Sequence, residues 1–441
     1  MAQRRYSLPP AVAFAGTGLA FAGVTLAAGA PTPLLVFYEH RWGFDAGMLT
    51  IAFAIYAFGL LLALLVVGSV SDYIGRRPVL IGALAVQLLA MVMFFFASSV
   101  GWLVAARAVQ GVATGAAFSA FTAALVELAP PGRKELGAVI GSVAPAGGLG
   151  LGALMAGAAV QFSGSPARIV FAVLAIVTLL GIGVAILSGE TVPRRPGARR
   201  ALRPELSIPR PAAREFAAAV PVQIGAWMFV GLFMGLMPTI VGELFHIDNG
   251  LTIGATVCVE PGSAAVVGLL VGRISPRGTA RLGAAAVIVG AVLVTIGVST
   301  TRMSLVVVGG VIGGVGFGAS YSGSLRTLSP LAEPDQRAGL FAALFTVAYL
   351  AFGVPVIIAG QLIPRAGLLS TVVGYCVVTL VFAAAGLVAQ LVIGRRGSAK
   401  ASEASIKDNA AFVPGWPGCL PPSPTAETGS VPDLGAVNTG P

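Results

Sequence analysis

The chain has 441 residues, of which 56% are hydrophobic and only 10% charged, with a mean hydropathy of +0.92. A soluble domain carries about 25% charged residues, so this composition excludes an ordinary water-soluble fold and places the chain in a bilayer. The formal charge of +10 does not mark a nucleic-acid-binding protein, because the cations are scattered over many short loops and form no groove or stripe.

An apolar run of about 20 residues crosses the hydrocarbon core as a helix that satisfies its own backbone. Such runs are predicted near residues 12–37, 48–70, 79–98, 102–125, 137–161 and 169–188, then 216–240, 251–272, 282–299, 304–324, 340–362 and 368–393. Between the two sets, residues 189–215 read GETVPRRPGARRALRPELSIPRPAARE, a proline-broken basic connector that cannot form one buried helix. Past residue 396 the chain turns polar and rich in Pro, Gly and Ser, the composition of a disordered tail. The expected fold is an all-α membrane protein of twelve spans: two pseudo-symmetric six-helix bundles, residues 1–188 and 216–396, a linker at 189–215 and a tail at 397–441.

The cations are sided. Arg4 and Arg5, Arg76 and Arg77, Arg133 and Lys134, the connector, Arg273, Arg277 and Arg281, Arg326 and Arg337, and the tail share one face; only Arg41, Arg168, Arg302 and Arg365 lie on the other. By the positive-inside rule both termini are expected in the cytoplasm. All but three of the 27 cations are arginines, which points to a GC-rich bacterial genome and hence to a bacterial plasma membrane. The first span ends Ala28-Gly29-Ala30 and imitates a cleavable signal, but removing it would break the charge sidedness, so a retained signal-anchor helix is expected.

The loop after the second span reads Gly68-Ser-Val-Ser-Asp72-Tyr-Ile-Gly75-Arg76-Arg77, with glycines for close packing and a tight turn, and opposite charges set at the membrane surface. These five positions resemble the loop 2/3 signature of the major facilitator superfamily, a similarity that extends over residues 10 to 395. The resemblance implies a hairpin that latches the two halves together in the outward-facing state. On this reading Asp72 faces the amino end of the eleventh helix near Ala338 and Gly339, where a carboxylate gains about 0.3–1 kcal/mol. The other half repeats the loop in worn form, with Ser275 where Asp72 stands.

In the fourth span, Arg107 and Gln110 share a helix face and resemble the superfamily's Arg-x-x-Gln-Gly pattern. Arg107 reads either as an interfacial anchor that snorkels to the surface or as a cavity-facing cation acting on a proton site. The fifth span carries Gly141, Pro145, Gly147 and Gly148, which resemble the glycine-proline motif of proton-driven exporters, although Ala144 replaces the glycine usual before the proline. Small residues let another helix approach, and the proline permits a bend. In the eighth span, Glu260 before Pro261 is the carboxylate set deepest in any span, roughly 14 Å in. An ionised acid there costs several kcal/mol unless paired or hydrated, which suits a group that carries a proton; a neutral acid bonded to a carbonyl freed by Pro261 is the bland alternative.

Tyr56, Gln223, Trp227, Tyr321 and Tyr349 are expected at the cavity, with Met228, Met234 and Met237 as an adaptable wall. Glu39, His40 and Arg41 read as a solvated cluster at the outer mouth. Cys258, Cys376 and Cys419 show no pairing or metal-ligand spacing, no P-loop is present, and His40 and His246 fall in loops, so no catalysis, metal or cofactor is expected. The leading function is export of a small lipophilic or amphipathic substrate by a monomer in exchange for protons, with the lipid bilayer as its other partner. Proton-coupled uptake of a sugar, organic acid or other metabolite, and a membrane sensor that moves nothing, stay open as alternatives.

Overall fold

The computed structural model describes residues 8–197, 201–202, 204, 206–270, 274–333 and 336–393, and the helical backbone of 394–410. Arg4, Arg5, Arg273, Cys419 and the tail from 411 lie outside the described residues. Twelve helices are long and apolar enough to span a membrane: α1 Pro10–Trp42, α2 Ala46–Val67, α3 Arg76–Phe95, α4 Val100–Leu128, α5 Lys134–Phe162, α6 Pro166–Leu187, α7 Arg210–Glu243, α8 Gly250–Leu270, α9 Pro276–Ser299, α10 Met303–Leu331, α11 Arg337–Ala366 and α12 Leu368–Ile393. Several run beyond the apolar windows, because a helix that leaves the hydrocarbon still closes its own hydrogen bonds. The backbone of residues 397–410, which the composition assigns to the tail, is helical.

Local chemistry sets the ends. Asp45 Oδ1 accepts from Met48 N at 2.8 Å to start α2, Ser99 Oγ accepts from Trp102 N at 3.3 Å to start α4, and Asn249 Oδ1 accepts from Thr252 N at 2.9 Å at the head of α8. Ser275, expected as the worn counterpart of Asp72, is the cap of α9 and accepts from Gly278 N at 3.2 Å. Pro166 enters at the start of α6, where the missing N–H would have no partner, whereas Pro145 and Pro261 stand inside α5 and α8.

The packing repeats itself between halves. In the first, α1 packs on α4, α5 and α6, α2 on α4, and α3 on α4 and α6; in the second, α7 packs on α10 and α11, α8 on α10, and α9 on α10. The hydroxyl of Tyr375 on α12 donates to Met228 O on α7 at 2.8 Å, and Arg281 on α9 donates to Gln390 O on α12 at 3.0 Å, which completes the correspondence. The two bundles meet along α5 against α8 and along α11 against α2, pairs that exchange under the same shift of six helices. Small residues make these seams possible. A Cβ on Gly254 of α8 would lie 2.6 Å from Ala153 O and 3.0 Å from Gly157 Cα of α5, and one on Gly290 of α9 would lie 2.8 Å from Gly309 O of α10.

The helix ends fall on two faces: the basic face, where α1 begins and the connector lies, and the opposite face. At the opposite face the halves are shut. The ends of α1 and α7 touch, Gly250 N donates to Gln161 Oε1 at 3.1 Å, and a Cβ on Gly47 of α2 would lie 2.6 Å from Gln361 Nε2 of α11. Glu39 is half-buried and His40 lies on the last turn of α1 rather than in a loop.

Candidate functional site

Helix α1 is interrupted at Gly29 to Pro31, and α4 answers the interruption. Pro31 has no N–H, so the carbonyl of Ala27 four residues earlier loses its helical donor. Gln110 Nε2 supplies one at 2.6 Å, while its Oε1 accepts from Arg107 Nη1 at 2.7 Å. Arg107 donates further to Ala28 O at 3.4 Å, Ala52 O at 3.2 Å and Phe53 O at 3.3 Å, and its Cζ lies 4.4 Å over the Tyr56 ring. Arg107 therefore does not snorkel. It is 1% exposed and clamps α1 and α2 to α4 through carbonyl dipoles.

This assigns Gln110 a measurable load. Gln110→Leu leaves the Ala27 carbonyl buried and unsatisfied, so a loss of about 1–3 kcal/mol is expected in unfolding of the detergent-solubilised protein. Gln110→Leu also takes an acceptor from Arg107 Nη1, so in the background of Pro31→Ala, whose amide restores the helical bond, the share of the loss owed to Ala27 O should vanish and the share owed to Arg107 should stay; an equal loss in both backgrounds would refute the pairing.

At the centre, Trp227 of α7 gathers rings of α10 and α11. Its ring centroid lies 4.9 Å from Tyr349, 5.2 Å from Phe317, 5.9 Å from Phe352 and 6.5 Å from Tyr321. Phe352 meets Phe53 of α2 at 5.0 Å, and Phe345 meets Phe118 of α4 at 6.4 Å, so the chamber is built across the bundle boundary. Trp227 Nε1 donates to Gln223 Oε1 at 3.1 Å, which fixes the indole edge. The rings nearest the opposite face, Phe53 and Phe352, are buried, whereas Phe118, Tyr321 and Phe345 towards the basic face are half-buried. The rings are thus more exposed towards the basic face than towards the opposite one.

Of the expected cavity residues, Gln223, Trp227, Tyr321 and Tyr349 come together, and Tyr56 lies beneath Arg107 within electrostatic reach of Tyr349. Met228, Met234 and Met237 are packed into the core, with Met228 turned away from the chamber towards a groove between α11 and α12. Phe53, Phe118, Phe317, Phe345 and Phe352 escaped the sequence reading. The spacing of Phe345, Tyr349 and Phe352 at i, i+4 and i+7 was the available signal.

A π-helical turn at Leu232–Leu236 widens α7 beyond Trp227, immediately before Met237 and Pro238. Glu260 is 0% exposed, and neither carboxylate oxygen has a hydrogen-bond partner. The carbonyl freed by Pro261 does not receive it. Its backbone packs on Gly314 of α10, one turn from Phe317 of the chamber. The α5 motif divides by face: Gly148 packs on α1, Gly141 on Thr122 of α4, and Gly147 and Gly150 on α8, while the Thr25 hydroxyl donates to Ala144 O beside Pro145 at 2.9 Å.

At the basic face Asp72 does not reach α11. It pairs with Arg76 at 2.5 Å and is 56% exposed, and Ser207 of the connector approaches Gly339 instead, its N donating to Gly339 O at 3.4 Å. Arg76 also reaches Glu127 at 3.2 Å, and the Glu190 carboxylate accepts from Arg76 N at 2.8 Å and Arg77 N at 3.2 Å, capping α3. Gly75 precedes it with φ +101°, which a side chain would strain. Neither glutamate stood out in the sequence, because their partners lie 51 and 113–114 residues away. On the C-terminal side Arg277 pairs with Glu215, tying α9 to α7.

Two repeated sets of six membrane-length helices that meet around a cluster of rings have the architecture of a secondary membrane transporter. The family model of the Major Facilitator Superfamily matches residues 14–354, and the chain belongs to that family. Among solved structures the fold is similar to the human organic anion transporter MFSD10 (TETRAN), with a TM-score of 0.61, 17% identity, and coverage of 86% of this chain and 100% of that one. It is also similar to a POT family transporter in complex with 5-aminolevulinic acid, with a TM-score of 0.69, 13% identity and 87% and 96% coverage. A POT family transporter in complex with a thioalcohol-conjugated peptide gives a TM-score of 0.68, 14% identity and 86% and 95% coverage. No curated protein matches the chain.

Proposed function

We propose that this transporter exports small lipophilic or amphipathic molecules in exchange for protons, as a monomer in a bacterial plasma membrane with its basic face in the cytoplasm. The observation that carries the reading is Glu260, a fully buried carboxyl with two unpartnered oxygens beside an aromatic chamber. A charge there is tolerated only when water or a cation reaches it, so its charge state is tied to which side is open. The bundles at 1–188 and 216–396 rock about the 189–215 linker. The chamber offers ring faces and few polar groups, which suits a lipophilic substrate better than a sugar. Arg107 spends its donors on carbonyls, which disfavours an anion as its ligand.

Asp72, unlatched while the opposite face is shut, supports a hairpin that engages α11 in the other state. In liposomes with an imposed pH gradient, a panel of lipophilic cations, antibiotics, sugars and organic acids should give proton movement with a lipophilic class. Movement with sugars or organic acids alone would favour uptake, and binding without flux would favour a sensor.

A further inference from the structure

On the side away from the chamber, α11 and α12 bound a groove of about 830 Å³ whose floor is α7 at Val220, Ile224 and Met228. That volume lies within the roughly 300–1,000 Å³ of small-molecule sites. Along α11 the groove runs from Val347 to Ala366, about 19 residues or roughly 28 Å, close to the ~30 Å hydrocarbon thickness. Its wall is hydrocarbon almost throughout. The hydroxyls of Thr371 and Tyr375 are already bonded, to Gly367 O and Met228 O, each at 2.8 Å.

The rim at the opposite face differs. Val347, Val354, Ile358 and Arg365 follow one another at spacings of seven, four and seven, so Arg365 stands on the groove's own stripe of α11, where that helix leaves the membrane. Arg365 is exposed and has no acidic partner among the described residues, and Ser370 lines the groove near the same end. An apolar trough of membrane length that ends in a cation is complementary to an amphiphile with an anionic head. We propose that this groove binds one anionic phospholipid of the leaflet at the opposite face, with its acyl chains between α11 and α12 and its phosphate on Arg365 and the Ser370 hydroxyl. The other stripe of α11 carries Phe345, Tyr349 and Phe352 of the chamber, so the lipid backs the wall that substrate meets.

The full chain, reconstituted in nanodiscs of phosphatidylcholine and phosphatidylglycerol and then released into detergent, should retain one phosphatidylglycerol by native mass spectrometry. Retention should fall about tenfold in Arg365→Gln, the scale of a lost charge-assisted contact, and likewise in Ile358→Trp, which fills the trough. Arg302→Gln, at the same face, should match the wild type, and Arg365→Lys should recover part of the binding. Monodispersity on gel filtration establishes that each variant is folded. Equal retention of both lipids, or full retention in Arg365→Gln, would mean an annular lipid only and overturn the proposal. Displacement by soluble glycerol phosphate would also overturn it, identifying a phosphate site that needs no chains.

Discussion

Glu260→Gln is expected to abolish proton-driven transport while leaving substrate binding within a few fold of wild type. The glutamine keeps the shape and the neutral character of a protonated acid, so packing against Gly314 and the closed arrangement should survive. What it removes is the capacity to lose a charge-balancing proton when water or substrate arrives. An ionised carboxylate left unpaired at that depth costs several kcal/mol, so the two charge states cannot populate the two arrangements equally. In reconstituted vesicles the substrate should still exchange down its own gradient, but an imposed pH difference should no longer drive it or be dissipated by it. Wild-type coupling in this variant would remove Glu260 from the mechanism. Because the side chain has no hydrogen bond to lose, thermal stability should not fall, which separates this result from misfolding.

Gly254→Trp is expected to hold the opposite face open and stop turnover. Even a Cβ at Gly254 would stand 2.6 Å from Ala153 O and 3.0 Å from Gly157 Cα, all backbone that cannot rotate aside. An indole there can be accommodated only by separating α5 from α8. Overpacking a tight seam costs about 1–3 kcal/mol, and 1.4 kcal/mol is a factor of ten, so a balanced two-state equilibrium shifts roughly tenfold or more. Spin labels at the exposed positions Arg168 and Arg302, one in each half, should report a longer distance in the variant. Gly183→Trp is the control, since nothing lies within 4 Å of a Cβ at that lipid-facing position. An unchanged distance distribution in Gly254→Trp would show that this seam does not gate.

The hairpin at Asp72 carries a lesson about motifs. Its residues were legible through their resemblance to the family's loop 2/3 signature, and the tight turn at Gly75 is present, yet the partner expected for Asp72 is not engaged in this arrangement. A motif records chemistry that one state requires, whereas a single conformation displays one state. The carboxylates that organise this corner, Glu127 and Glu190, sit in a helix end and a connector with no local pattern around them.

Span number, the even count, the sidedness of the cations and the depth of Glu260 were determined by the sequence by itself, because each follows from water and hydrocarbon acting along one dimension. Which face of each helix meets a neighbour was decided only by the tertiary structure. Lipid tails and a protein interior are equally apolar, so a membrane helix has little hydrophobic asymmetry by which to declare its buried side. That is why Phe352 and Phe317 were indistinguishable from lipid-facing residues until α7, α10 and α11 converged on Trp227, and why Gln110 revealed its task only where α4 crosses the proline break of α1.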